Sequence, residues 1–255
     1  MMAVLKMQNY TMRIAISILI IVSLSLFSNK AMAQRNDKPF TQLDYDYGKP
    51  FHFGFSLGFN FMDFTIKNNG KPQEIGLGDT TALWADASGM VPGFNVNIIT
   101  DYRLNEYFSV RCLPGLSFGQ RDLKYYEPSG KLLTTMNLES SFIEVPILIK
   151  YKAKRSGDIR PYLIAGINPR FDVAAYKKLN NKEGIYVRLN SSDVYYEFGA
   201  GLDFYLTYFK FSIEMKYSAG ISNVLSPDLV EGGESYVKAL DKIQSQLFVI
   251  AFHFE

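Results

Sequence analysis

Six alternate residues, Phe51, Phe53, Phe55, Leu57, Phe59 and Phe61, are large and apolar, while His52, Gly54, Ser56, Gly58 and Asn60 between them are small or polar. Side chains alternate across a strand, so this pattern predicts a β-strand whose two faces meet different surroundings. The alternation recurs along the chain. It predicts strands through Phe94, Val96, Ile98, Tyr102 and Leu104, then through Phe108, Val110, Cys112, Leu116 and Phe118. Further strands carry Ile143, Val145, Ile147, Ile149 and Tyr151, then Leu163, Ala165, Ile167 and Phe171. The last three carry Tyr196 to Leu206, Phe209 to Tyr217, and Phe248, Ile250, Phe252 and Phe254.

The spacing between these strands alternates too. Long connections are expected at Met62–Gly93, Gly119–Ser141, Asp172–Val194 and Ser218–Leu247. Short ones are expected at Asn105–Tyr107, Lys152–Arg160 and Thr207–Tyr208. An all-β, eight-stranded, antiparallel up-and-down transmembrane β-barrel is built on this plan, with short turns at one end and long loops at the other. Both termini then fall on the short-turn side, in the periplasm.

The N-terminus carries an address. Lys6 and Arg13 precede an uncharged apolar run, Ile14–Phe27, and no acidic residue occurs before Asp37. Ala31-Met32-Ala33 supplies small residues for a cut ahead of Gln34, so residues 1–33 read as a secretory signal peptide. Residues 34–50 are then an N-terminal periplasmic segment and residues 51–255 the barrel. Removing Lys6, Arg13 and Lys30 leaves 24 bases against 25 acids, a mature charge of −1. That balance gives no electrostatic reason to expect nucleic acid. One cysteine excludes a disulfide framework within one chain. No cofactor or metal motif occurs.

A soluble eight-stranded barrel would put the apolar face inside. Glycines on the polar face (Gly54, Gly58, Gly119, Gly199 and Gly201) instead suit a crowded interior. Six Phe and Leu from the first strand would overfill it. Aromatic residues gather beside the short turns at Tyr102, Tyr107, Phe108, Tyr151, Tyr205, Tyr208 and Phe209, like an interfacial girdle meeting outer-membrane lipid.

The polar face is then the lumen. It is expected to hold Asp101, Glu144, Glu197, Asp203 and Glu214 against Arg103, Arg111, Lys150, Lys210 and Lys216. Equal numbers predict a closed ion-pair core rather than a selective pore. His52 and His253 also face inward near the closing seam. They read as a rim acid–base or metal pair, or as lumen filling. No spacing singles out a catalytic triad, so the chain is read as non-enzymatic. Candidate partner-binding residues are Trp84 in the first long loop and Tyr236, Val237 and Leu240 on a helix spanning Glu234–Ser245. Lys152, Lys154 and Arg155 form a candidate basic turn, with Arg160 beside them.

Several local sequences carry a family resemblance. They are His52-Phe-Gly-Phe-Ser-Leu-Gly-Phe-Asn60, Pro92-Gly-Phe-Asn95, Asp101-Tyr-Arg-Leu104, Arg111-Cys-Leu-Pro-Gly-Leu-Ser-Phe118, Ile143-Glu-Val-Pro-Ile147, Arg160-Pro-Tyr162 and Gly199-Ala-Gly-Leu-Asp203. Together they resemble the PorT family of outer-membrane β-barrels from Bacteroidetes-type bacteria. The resemblance implies a part in type IX protein secretion or gliding machinery, with other secretion-machinery proteins as partners, and it supplies no catalytic residues. Glu255 departs from the usual aromatic end of such barrels. An outer-membrane lipid-modifying enzyme and a passive surface-binding barrel are the rival readings.

Overall fold

The computed structural model describes residues 48–74, 80–81, 83–87, 89–176, 186–226 and 234–255. The expected leader, Met1–Ala33, and residues 34–47 lie outside them.

The strands are β1 (Phe51–Asn68), β2 (Gln73–Glu74), β3 (Thr80–Thr81), β4 (Trp84–Ala87), β5 (Val91–Arg103), β6 (Phe108–Cys112) and β7 (Gly115–Tyr126). They continue with β8 (Leu132–Glu144), β9 (Ile147–Lys152), β10 (Ile159–Asp172), β11 (Ser192–Tyr205), β12 (Lys210–Gly220) and β13 (Leu240–Phe254). A 3-10 turn covers Ala174–Tyr176, and helix α1 covers Glu234–Lys238. Eleven strands form one antiparallel sheet, while β2 and β3 pair separately. The ladders run from β1 to β5, on to β6 and β7, across β9 and β8 to β10, then through β11, β12 and β13 back to β1. A sheet that returns to its own first strand leaves no edge along the closed part of the wall.

Two interruptions lie side by side. β6 and β7 part at Leu113-Pro114, and β8 and β9 at Val145-Pro146; Cys112 faces Ile147 below the gap and Gly115 faces Glu144 above it. Proline has no N–H to give the ladder. Neighbouring groups bridge the gap: Leu113 N–H donates to the Pro146 carbonyl at 3.0 Å and Ile98 N–H to the Pro114 carbonyl at 2.9 Å.

The strands are longer than their apolar alternation. On β1 the outward residues from Phe51 to Phe59 are exposed and apolar, while Ser56, Gly58 and Asn60 point inward. Past Phe61 the faces exchange character: Asp63, Thr65 and Lys67 follow the outward parity, and Met62 and Phe64 are buried. β13 does the same in register, with Phe248 to Phe254 outside and then Gln246, Gln244 and Lys242. Beyond Phe118, β7 turns Gln120, Asp122 and Lys124 outward and buries Leu123 and Tyr125. β8 shows Thr135, Asn137 and Glu139 outside and buries Met136 and Leu138. This exchange marks where hydrocarbon ends and water begins. Ten residue steps from Phe51 to Phe61, at ~3.4 Å each and ~40° tilt, rise ~26 Å, close to the ~25 Å apolar band of an outer-membrane barrel.

Much of the expected long connections is therefore strand. The span Gly119–Ser141 is a projecting β7–β8 hairpin closed by the turn at residues 127–131. The expected helix over Glu234–Ser245 covers only Glu234–Lys238, and from Leu240 the chain is already β13. Tyr205 leaves the expected girdle: it is 3% exposed and faces inward, whereas Tyr102, Tyr107, Phe108, Tyr151, Tyr208 and Phe209 remain on the outside.

Candidate functional site

The lumen is filled by ion pairs in levels. Nearest the short turns, Arg111 bonds Asp101 at 3.0 Å and Glu255 at 2.8 Å, and lies 3.5 Å from Glu214. Lys210 holds the other Glu255 oxygen at 2.8 Å. Lys150 donates to both Asp203 oxygens at 2.8 Å, and Ser212 donates to Asp203 at 2.6 Å. The Tyr162 hydroxyl donates to Glu214 at 2.9 Å, and its ring lies beneath the Lys150 ammonium at 3.6 Å. Tyr162 fits because Gly201 faces it: a Cβ there would stand 2.4 Å from the phenol oxygen.

In the middle level, Arg170 pairs with Glu144 at 2.8 Å and Glu197 at 3.2 Å, and Lys216 reaches Glu197 at 2.9 Å. Asn168 donates to both Glu144 and Glu197. Asn97 adds a bond to Glu144 at 2.8 Å and Ser218 one to Glu197 at 2.7 Å. Above them Arg121 donates to Ser140 and Ser245, lies 3.5 Å from Asp172 and stacks over the Phe64 ring at 4.5 Å. Pairing of this kind is what lets charges be tolerated in a narrow interior.

Among the described residues the ion pairs extend beyond the ten expected positions and stay balanced in sign. Nine of those ten are buried, while Arg103 is half-buried at the rim and outside these pairs. The sequence reading missed Arg121, Asp172 and Asp193, which lie beyond the expected strand ends. It also missed Arg170, on the strand whose inward face was left unassigned, and Glu255. Lys152 and Arg160, expected on the basic turn, are 8% and 3% exposed and point inward. The buried acids are Asp101, Glu144, Asp172, Asp193, Glu197, Asp203 and Glu214, joined by the fully covered side chain of Glu255. The buried bases are Arg111, Arg121, Lys150, Lys152, Arg160, Arg170, Lys210 and Lys216, equal in number.

The basic turn is thereby split. Arg160 donates to the backbone carbonyls of Ala153 and Glu106. Arg155 stacks over Tyr205 at 3.7 Å and pairs with Asp158 at 3.1 Å. Of the three candidate residues there, Lys154 alone is exposed.

At the long-loop end the lumen becomes apolar. Phe64, Leu123, Tyr125, Met136, Leu138 and Ile243 from the wall meet Leu83, Val187, Leu189, Val224, Val237 and Ala239 from the connections. Val237 and Leu240 are 7% and 5% exposed in this cluster, so they plug the mouth instead of offering a free face. Tyr236 is half-buried: its ring stacks on Tyr186 at 5.2 Å and meets Tyr125 edge-on at 4.9 Å. Burial beside Tyr186 pushes its phenol above the usual range. Trp84 is 56% exposed on the outer face of β4, opposite Tyr126 of β7.

The two histidines stand apart in the ladder. His52 faces Asp101, whereas His253 faces Ser56 on β1 and Ser212 on β12. His253 is buried 3.3 Å from Glu214, and neither of its ring nitrogens has a hydrogen-bond partner of proper geometry. A serine nucleophile needs a hydrogen bond to its base and access for substrate. Neither Ser56 nor Ser212, both 1% exposed or less, meets those requirements. Among the described residues, no cluster of three or more His, Cys, Asp or Glu side chains could hold a metal ion.

A family model described as "Outer membrane protein beta-barrel domain" matches residues 32–226. Among solved structures, the chain is similar to the outer membrane protein OprG of Pseudomonas aeruginosa, at 11% identity over 79% of this chain and 95% of that one, with a TM-score of 0.40. It is similar to Neisserial surface protein A at 12% identity, covering 80% and 98%, with a TM-score of 0.38. It is also similar to Ail, the attachment invasion locus protein of Yersinia pestis, at 13% identity, covering 81% and 98%, with a TM-score of 0.35. No curated protein matches the sequence.

Proposed function

The chain belongs to the outer membrane protein beta-barrel domain family, and from that premise we propose that it is a non-enzymatic, closed component of a secretion machine. The protein is an antiparallel β-barrel of the bacterial outer membrane. Counting β6 with β7 and β8 with β9, each divided only by a proline step, its wall has eight strands. The long loops face outward, and both termini of the chain lie on the short-turn, periplasmic side, as that plan requires.

One observation carries the functional reading: the described inward side chains pack the lumen at each level. Balanced ion pairs occupy the short-turn and middle levels, and an apolar plug occupies the mouth. A barrel packed in this way is read as a scaffold and not as a passage for solute. Function then belongs to what the scaffold displays, as is usual for loops on rigid frames. Trp84, exposed well beyond the lipid band, is the foremost contact for a protein partner. Exposed Lys154 is a lesser contact on the other side.

The resemblance to the PorT family supplies the machine: type IX secretion, with gliding in cells that glide. The Arg111-to-Phe118 pattern that carries this resemblance holds two structural keys, the Arg111 hub and the Pro114 break. The test is chromosomal deletion in the native bacterium, with secretion, motility and lipid A composition measured separately. Loss of secretion with unchanged lipid A supports the reading. Normal secretion overturns it, and altered lipid A with normal secretion favours a lipid-modifying enzyme.

A further inference from the structure

On the side of β8 away from β7, the projecting β7–β8 hairpin has no strand paired to it at Thr135 and Asn137 among the described residues. The β8 ladder to β10 ends where Phe142 faces Asp172. Just beyond, Ser141 takes the Val173 N–H on its carbonyl at 2.9 Å and gives its own N–H to the Asp172 carboxylate at 3.1 Å. Both backbone groups of Ser141 therefore point away from β7. Strand parity points those of Asn137 and Thr135 the same way. Among the described residues, neither Asn137 nor Thr135 has a backbone partner on that side.

An unpaired strand edge is a template for another extended chain, and proteins normally blunt one with proline, bulges or inward charge. From Thr134 to Ser140 the strand has neither proline nor bulge, and its one charge is the outward Glu139: the residues are Thr-Thr-Met-Asn-Leu-Glu-Ser, and the bulge lies beyond them at the turn. The edge also adjoins an exposed apolar row. Trp84 faces Tyr126, and Tyr126 faces Leu132, so the three side chains cross β4, β7 and β8 on the outer face. Trp84 is 56% and Leu132 47% exposed. The polar outer positions of β7, Gln120, Asp122 and Lys124, separate this row from the last lipid-facing residue, Phe118. Eight residue steps at ~3.4 Å and ~40° tilt set the row ~20 Å beyond hydrocarbon, too far for a membrane girdle.

We infer that β8 accepts an extended segment of a partner protein as an added strand along Thr135 and Asn137, with an apolar or aromatic side chain of that segment continuing the Trp84–Tyr126–Leu132 row. Main-chain hydrogen bonds supply the attachment and the row selects the side chain, as in other strand-addition interfaces. This rests on the reading of the protein as a partner-binding scaffold and names the face and the chemistry of the partner.

The test is amide hydrogen exchange across Leu133–Glu139, on the full chain purified in detergent and on the same chain in outer-membrane vesicles from its own cells. Thr135 and Asn137 exchange quickly in detergent and at least ten-fold more slowly in vesicles. A Thr135→Pro, Asn137→Pro variant removes only N–H groups that β7 does not use. It stays a heat-modifiable barrel and loses secretion. Slow exchange in detergent means the chain covers its own edge and overturns the inference, as do equal rates in both preparations, or full secretion by the proline variant where the deletion strain fails to secrete. A deletion strain that secretes normally sinks the secretion reading instead, while vesicle protection still reports on the added strand.

Discussion

Glu255 tests the lumen most sharply, because one terminal side chain serves two bases. It lies 2.8 Å from Arg111 and 2.8 Å from Lys210 and has no solvent exposure. Glu255→Ala leaves Lys210 without that carboxylate and Arg111 with Asp101 and the more distant Glu214. Removing one member of a buried pair costs about 3–5 kcal/mol, since a buried charge is left uncompensated. That corresponds to roughly two to four powers of ten in the unfolding equilibrium. Adding Lys210→Met restores the charge balance, and the double variant is expected to recover at least half of the loss. Asp241→Asn is the control: Asp241 pairs with Lys67 at 2.7 Å, but both side chains are exposed, so stability is expected not to change measurably. The assay is urea unfolding in lipid vesicles, read by gel heat-modifiability and by the fluorescence of Trp84, the one tryptophan of the chain. A Glu255→Ala protein as stable as the parent, or a double variant losing the sum of both single losses, would refute the claim that these ions hold one another.

Three further outcomes follow from the same packing. In planar bilayers the purified protein gives no large, stable single-channel current; such currents would show that the filled lumen opens. Gly201→Ala places a Cβ 2.4 Å from the Tyr162 ring and hydroxyl. It is expected to cost about 1–3 kcal/mol of overpacking in the same urea assay. Leu240→Ala removes a plug side chain and costs about 2–5 kcal/mol. Limited proteolysis then cuts the long connections faster while the strands stay resistant, whereas Trp84→Ser leaves both stability and cleavage unchanged.

The lipid band was legible in the sequence because hydrocarbon on one side and a crowded polar lumen on the other enforce a strict period of two. The inward placement of Asp101, Arg111, Glu144, Lys150, Glu197, Asp203, Lys210, Glu214 and Lys216 follows from that alternation alone. What failed was the reading past the membrane. At Met62 and again after Phe118 the two faces exchange character, and a pattern defined by outward apolar residues stops there although the strand continues. Arg121 was lost for that reason, and Asp172 because it is the last residue of its strand. Val237 and Leu240 fit a helical spacing, but the helix ends at Lys238 and Leu240 enters the plug from a strand. Lys152 and Arg160 read as a solvated basic turn because only their proximity in sequence was visible; strand parity turns both inward. Glu255 follows the last apolar residue of the eighth strand and was given no inward role. Its role depends on β1, β12 and β13 closing around it, which no local pattern encodes.

The central claim is that β1 crosses the hydrocarbon from Phe51 to Phe61 and continues beyond it with its faces exchanged. Nitroxide labels placed singly from residue 53 to residue 67, in a Cys112→Ser background and in lipid vesicles, measure this directly through their accessibility to oxygen and to a water-soluble quencher. Labels at 53, 55, 57 and 59 should be reached by oxygen, labels at 63, 65 and 67 by the aqueous quencher, and labels at 56, 60 and 64 by neither. Aqueous access to 53, 55, 57 and 59, or oxygen access that continues unchanged through 67, would contradict both the barrel's placement and the boundary at Phe61.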